Sequence, residues 1–168
     1  MADVSNHSLM GKEAVIGALS DHPAVKAILE WNSDALADAK FDRNELTLTI
    51  ARSEICAACR AVQAAGYNFF EDMTAVDWFP QSPRFQLSYH ILSHRLKERI
   101  RLAVKLDEPD PSIGTITSIW PSANFYEREV FDLFGVRFEG HPNLRRIMLP
   151  EDWKGHPLRK DYPVEGYR

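Results

Sequence analysis

Cys56 and Cys59 stand three positions apart in SEICAACRAV, while His141 and His156 each open a Gly-His-Pro to Leu segment near the end of the chain. These are the side chains whose chemistry could exceed packing. A Cys-x-x-Cys pair suggests a dithiol couple or a metal. A zinc or iron–sulphur cage takes four ligands, however, and two cysteines cannot supply a Cys-only set. Cys59 instead falls on the inward stripe Ile55, Cys59, Val62 of a helix expected from Ser53 to Ala65, with Ser53 as cap and Gly66 just past its end. There a thiol serves as a small hydrophobe. The histidines could join Glu127, Glu129 and Asp132 in an acid–base or metal cluster, but they sit on Pro-broken backbone without an i, i+4 pair to fix a geometry. No GxSxG, P-loop or GxGxxG supports another chemistry. We therefore expect no catalytic, cofactor-binding or metal-ligating residue in this chain.

The elements that carry these residues follow from size and pattern. A chain of 168 residues buries roughly 70% of its unfolded surface. With 45% hydrophobic and 26% charged residues it is not a disordered composition. The net charge of −4 argues against a nucleic-acid partner. No stretch approaches the roughly 20 apolar residues of a membrane span. The opening MADVSNHSLMGKEAVIGALS lacks the basic start and apolar run of a signal peptide. The expected compartment is the cytoplasm, with any membrane association made through a partner.

Along the chain, residues 1–20 carry little pattern and are expected to fray in part. Pro23 suits the first turn of a helix whose face takes in Val25, Ile28, Leu29 and Leu36. NELTLTIA alternates Leu46, Leu48 and Ile50 with Thr47 and Thr49, the pattern of a half-buried strand. YNFFEDMTAVDW reads as a strand interrupted near Glu71–Asp72. RFQLSYHILS and RIRLAVKL form a clear antiparallel pair. The basic cluster Arg95, Lys97, Arg99, Arg101 and Lys105 reads as its wet face. Strand, helix, strand and hairpin imply an α+β fold: a mixed or antiparallel sheet with helices packed on one face, spanning 21–134. NFYEREVFDLFG closes it with a helix, capped by Asn124 with Glu127 or by Ser122, and stopped at Gly135. Arg128 and Asp132 stand four apart and can pair along it. Glu127 shares the side of Phe131 and Phe134, where a carboxylate demands a partner.

The last 34 residues, 135–168, hold eight Gly or Pro, which forbids a long helix or central strand. They also keep Phe138, Leu144, Ile147, Met148, Leu149, Trp153, Leu158 and Tyr162, too apolar a set for a solvated tail. Such a segment fits an extended interaction arm with Leu, Trp and Tyr as anchors and Arg as a fork for carboxylates. Its removal, residues 140–168, is expected to leave a folded domain. Arg145→Ala or Arg146→Ala is expected to harm assembly more than folding.

YEREVFDLFGVRFEGHPNLRRIMLPEDWKGHPLRKDYP closely resembles the signature of the thirty-kilodalton, C-type subunit of proton-translocating NADH–quinone oxidoreductase, respiratory complex I. The Glu-Arg-Glu-x-x-Asp motif falls on Glu127, Arg128, Glu129 and Asp132. The first Gly-His-Pro block covers 140–146 and the ending covers 152–163. DMTAVDW and IWPSANFYERE keep the family's order upstream, and Cys56 and Cys59 lie outside its motifs. The resemblance implies a non-catalytic assembly subunit, on the cytoplasmic side of the bacterial inner membrane. FMN, Fe-S clusters and quinone would belong to other subunits. The partners would be the D-type subunit, which helps form the quinone cavity, and other peripheral-arm subunits. Some relatives are fused to the D-type subunit, and with five residues after Pro163 the unfused form is expected here. Related subunits serve membrane-bound hydrogenases and other-donor dehydrogenases. The implied interface comprises Glu127, Arg128, Glu129, Asp132, His141, Leu144, Arg145, Arg146, Trp153, His156, Leu158, Arg159, Lys160, Asp161 and Tyr162.

Overall fold

The alternating runs become one mixed sheet in the computed structural model, which describes residues 8–166. Its six strands are β1 (Leu9–Met10), β2 (Leu36–Asp42), β3 (Glu45–Ile50), β4 (Phe69–Asp77), β5 (Phe85–Ser93) and β6 (Glu98–Leu106), in the order β1-β2-β3-β6-β5-β4. β3 runs parallel to β6, with Leu46 opposite Ile100 and Leu48 opposite Leu102. The helices are α1 (Lys12–Leu19), α2 (Pro23–Asn32), α3 (Ile55–Ala64) and α4 (Ala123–Phe134). A two-stranded parallel sheet joins β7 (Ser112–Gly114) to β8 (Arg137–Glu139). Among the described residues no helix is long and apolar enough to cross a membrane.

The chain divides into two compact units, one built from residues up to Glu71 with Tyr89–Val104, the other from Asp72–Ser88 with Lys105 onward. A boundary drawn at 134/135 thus falls inside the second unit. In the first unit, Val25 and Ile28 of α2 and Ile55, Cys59 and Val62 of α3 are fully buried, as are Leu48 and Leu102 in the sheet. Each such side chain contributes about 2 kcal/mol by leaving water. Thr47 and Arg101 occupy the other face, where Arg101 Nη1 donates to Thr47 Oγ1 at 3.2 Å. In the second unit the core gathers Met73, Phe85, Leu87, Ile113, Ile116, Val130, Val136 and Phe138.

Several local expectations are corrected. Leu36 begins strand β2 instead of extending α2, because a two-residue turn with Arg43 and Asn44 at positive φ (51° and 63°) folds β2 onto β3. Residues Arg52–Glu54 form a 3₁₀ turn before α3, so Ser53 does not cap that helix. β4 runs unbroken through Glu71 and Asp72. Part of the segment expected to fray is ordered: Leu9 and Met10 pair with Phe41 and Lys40, and α1 follows. The rest of that expectation, residues 1–7, lies outside the described residues. Ser122 stands at the N-cap of α4 with helical backbone angles and no side-chain hydrogen bond, and Asn124 lies inside the helix while Glu127 is engaged by the Ile116 N–H, so the expected capping box does not form. Gly135 ends α4 at φ 76°, as its type and place predict.

Candidate functional site

Residues 140–166 contain no helix or strand, so their backbone groups must find partners outside any ladder. In the second unit they find them at the end of α4. The last four carbonyls of a helix have no partner within it. Here Phe131 O accepts from Gly135 N at 2.9 Å, Leu133 O from Leu158 N at 3.1 Å, and Phe134 O from Arg159 Nε at 2.6 Å. Asp132 O accepts from Arg146 Nη1 at 3.2 Å and faces His156 Nδ1 at 2.9 Å, which fixes that nitrogen as the protonated one. The arm is the C-terminal cap of α4. Cationic Arg146 and Arg159 also suit the negative end of the helix dipole. Gly135 permits this closure, since a Cβ there would stand 2.6 Å from the His156 ring and 2.7 Å from Arg159 Nη2.

Asp132 organises the middle of the arm. Its carboxylate is fully buried, with Oδ1 accepting from Arg146 Nη1 at 2.5 Å. Oδ2 accepts three successive backbone N–H groups, from Ile147, Met148 and Leu149 at 2.9, 2.8 and 3.0 Å. Burial alone would raise its pKa, but Arg146 and the three N–H donors outweigh it and hold the carboxyl below its usual range. Arg146 Nη2 donates further to Trp153 O and Gly155 O, at 3.0 and 3.1 Å. Arg128 does not pair with Asp132 along the helix. Its Nε and Nη2 donate to Arg145 O and Arg146 O, both at 3.1 Å.

A second clamp holds the end of the arm. Arg84, nearly buried, donates to both Asp77 oxygens at 2.9 and 2.8 Å, to Glu108 at 2.7 Å and to Asp161 at 2.6 and 3.1 Å. Asp77 also accepts the backbone N–H of Lys160 at 2.8 Å and of Phe79 at 2.9 Å. Burial pushes Asp77 up, yet Arg84 and those N–H groups bring it down to about 2. Arg84 itself is raised by Asp77 and Asp161, and Asp161 is lowered chiefly by Arg84.

The side chains expected to grip a neighbour therefore separate into two groups. Glu127, Arg128, Asp132, His141, Arg146, His156, Arg159 and Asp161 bond within their own unit, because buried carboxylates and unfinished helix carbonyls need partners at home. Glu127 meets Thr115 Oγ1 and the Ile116 N–H, and His141 faces Asn124 O. Leu144 and Tyr162 are half-buried. Glu129, Arg145, Trp153, Leu158 and Lys160 face outward, as does Met148, which was absent from the expected set. Ile147, Met148, Trp153 and Leu158 are 38, 62, 42 and 50% exposed. The arm thus turns Arg146, His156 and Arg159 onto α4 and leaves four large apolar side chains exposed beside charged residues such as Arg145 and Lys160. Removing residues 140–168 would also strip the cap from α4 and two carboxylate ties, so truncation disturbs stability together with any interface.

Sequence reasoning missed Arg84, Asp77 and Thr115. Asp77 left a signal, because it shares the inward parity of Met73 and Ala75 on β4, and an acid there requires a cation. Neither Cys56 nor Cys59 is in a disulfide, and Cys59 is buried in the α3 stripe. Among the described residues no three His, Cys, Asp or Glu gather as a metal site.

Comparison with known proteins addresses the same residues. The chain matches the family described as respiratory-chain NADH dehydrogenase, 30 Kd subunit, over residues 48–168. It is 44% identical over 144 residues to the C-type subunit of the NADH-quinone oxidoreductase of Citrifermentans bemidjiense, covering 85% of this chain and 89% of that one. The equivalent subunit of Geobacter sulfurreducens is likewise 44% identical, over 145 residues, with 85% and 90% covered. Among solved structures, the trypsin-resistant fragment of Nqo5 superposes with a TM-score of 0.64 at 31% identity, covering 72% of this chain and 99% of that one. A chain of the membrane-bound sulfane sulfur reductase, an archaeal respiratory membrane complex, superposes at 0.73 with 27% identity and 86% of each chain covered.

Proposed function

We propose, from the premise that this chain belongs to the thirty-kilodalton subunit family of the respiratory-chain NADH dehydrogenase, that it serves as a non-catalytic assembly subunit of an NADH–quinone oxidoreductase. It holds its neighbours in register while electrons pass from NADH to quinone through other chains, which carry the FMN, the Fe-S clusters and the quinone. Its partner of choice is the D-type subunit at the quinone cavity, and it joins the membrane from the cytoplasmic side through the complex alone.

The observation that carries this reading is the set of large apolar side chains that the arm leaves exposed. Side chains such as Met148, Trp153 and Leu158 gain nothing from water, yet the inward hydrogen bonds hold them at the surface. Aromatic and Met anchors on a pre-ordered backbone are what a protein partner engages with little loss of conformational entropy. The test is a full-length Met148→Glu/Trp153→Glu/Leu158→Glu variant. It is expected to unfold at the wild-type temperature when isolated, and to be missing from the complex purified from membranes. Recovery of that variant in the complex at wild-type levels would sink the proposal.

One observation favours a second reading. A chain of the membrane-bound sulfane sulfur reductase shares the fold, with a TM-score of 0.73 and 27% identity over 86% of this sequence. The same structural role would then be exercised in a complex with another electron donor. Membranes lacking this chain should lose NADH–quinone reduction under the first reading. Under the second they keep it and lose reduction from the other donor.

A further inference from the structure

Glu127 is fully buried, and among the described residues no Lys or Arg meets its carboxylate. Oε1 accepts the Ile116 N–H at 2.8 Å, and Oε2 lies 2.5 Å from Thr115 Oγ1. Thr115 Oγ1 lies 2.9 Å from Thr117 Oγ1, and Thr117 is half-exposed. The basic group facing the carboxylate is His141, whose Nε2 stands 3.9 Å from Oε2. His141 Nδ1 accepts the Asn143 N–H at 3.0 Å, so the neutral ring carries its proton on Nε2, directed to Asn124 O at 3.3 Å. Burial, opposed by the Asn124 carbonyl and aided by Arg128, holds the His141 pKa below its usual value, which disfavours this ring as a cationic partner for the carboxylate. Arg128 spends its own donors on the arm carbonyls.

A carboxylate buried without a cation is stabilised by taking up a proton. We infer that Glu127 is a reversible proton-binding site that exchanges with the surface through the hydroxyls of Thr115 and Thr117. With the proton on, Glu127 Oε2–H donates to Thr115 and Thr115 donates to Thr117. On release, Glu127 passes its proton to Thr115, Thr115 passes its own to Thr117, and Thr117 passes its own to a solvent water. Each hydroxyl keeps one hydrogen, and the row now points the other way, with Thr115 donating to the ionised carboxylate. One proton leaves and no oxygen changes its covalent partners otherwise. Burial raises the Glu127 pKa to about 7, with Thr115 and Ile116 pulling it back, which is where such a site would fill and empty near neutrality. This inference goes beyond the assembly role and does not depend on it.

The experiment is a carboxyl NMR titration of the full chain with ¹³C-labelled Glu, from about pH 5 to about pH 9. Glu127→Gln identifies the resonance, whose expected midpoint is about 7. Thr115→Val removes a donor to the ionised form and moves the midpoint to higher pH, while Thr115→Ser leaves it in place. Stability supplies a second readout. The folded pKa lies above the unfolded value, so this group's contribution is complete below about 4.5 and falls as pH rises toward about 7, and Glu127→Gln lacks that slope. A Glu127 resonance that stays flat over the whole range overturns the inference, as does a midpoint that Thr115→Val does not move.

Discussion

Arg101 on β6 meets Glu45 at 2.8 Å, and Arg146 in the arm meets Asp132 at 2.5 Å, but the two pairs do different work. The first lies on the wet face of the sheet in the first unit, its side chains 32 and 38% exposed. With Arg99, Glu45 and Glu71 it forms a surface net in which every charge retains water. The second has side-chain exposures of 14 and 0%, and it also carries the chain path, because Asp132 collects three backbone N–H groups of the arm. Where apolar alternation already fixes register, ion pairs decorate. Where no regular element exists, they stand in for the ladder.

That contrast can be broken by experiment. Asp132→Ala in the full chain is expected to lower unfolding free energy by about 3–5 kcal/mol in urea, since it strands a mostly buried guanidinium and three N–H groups. Arg84→Met should follow at about 3 kcal/mol, leaving Asp77 buried with backbone donors alone. The pH dependence comes next. With Asp77 at about 2 when folded and near its ordinary 3.8 when unfolded, its stabilisation is complete above about pH 4. As pH falls toward about 2, a loss of about 2 kcal/mol is expected, and a stability–pH profile of Arg84→Met should show that limb reduced. The smallest effect belongs to Arg99→Ala, below about 1 kcal/mol and vanishing in high salt. Equal losses for Arg99→Ala and Asp132→Ala would dissolve the distinction.

The first unit was largely legible in the sequence. β3, β5 and β6 announce themselves by strict alternation, and α3 by its buried stripe. β2 was hidden because Leu36 continues the helical phase of α2, and its strand character comes from pairing across the Arg43–Asn44 turn. β7 and β8 are three residues each and exist by pairing with one another across α4. In the second unit the chemical importance of Glu127, Arg128 and Asp132 could be read from charge on an apolar helix. Their direction could not. Periodicity reports which face is buried, and says nothing of whether a partner lies on a neighbour or fifteen residues downstream, as with Ile147 on Asp132.

The last turn of α4 is finished by Arg146, His156, Leu158 and Arg159, all of which leave a ribosome after the helix itself. A nascent chain paused just beyond Gly135 would hold a helix with a ragged end and a buried acid still seeking its donors. Maturation of this unit therefore waits on translation of the arm, and a premature stop codon within it would be felt upstream, in a helix whose own codons are intact.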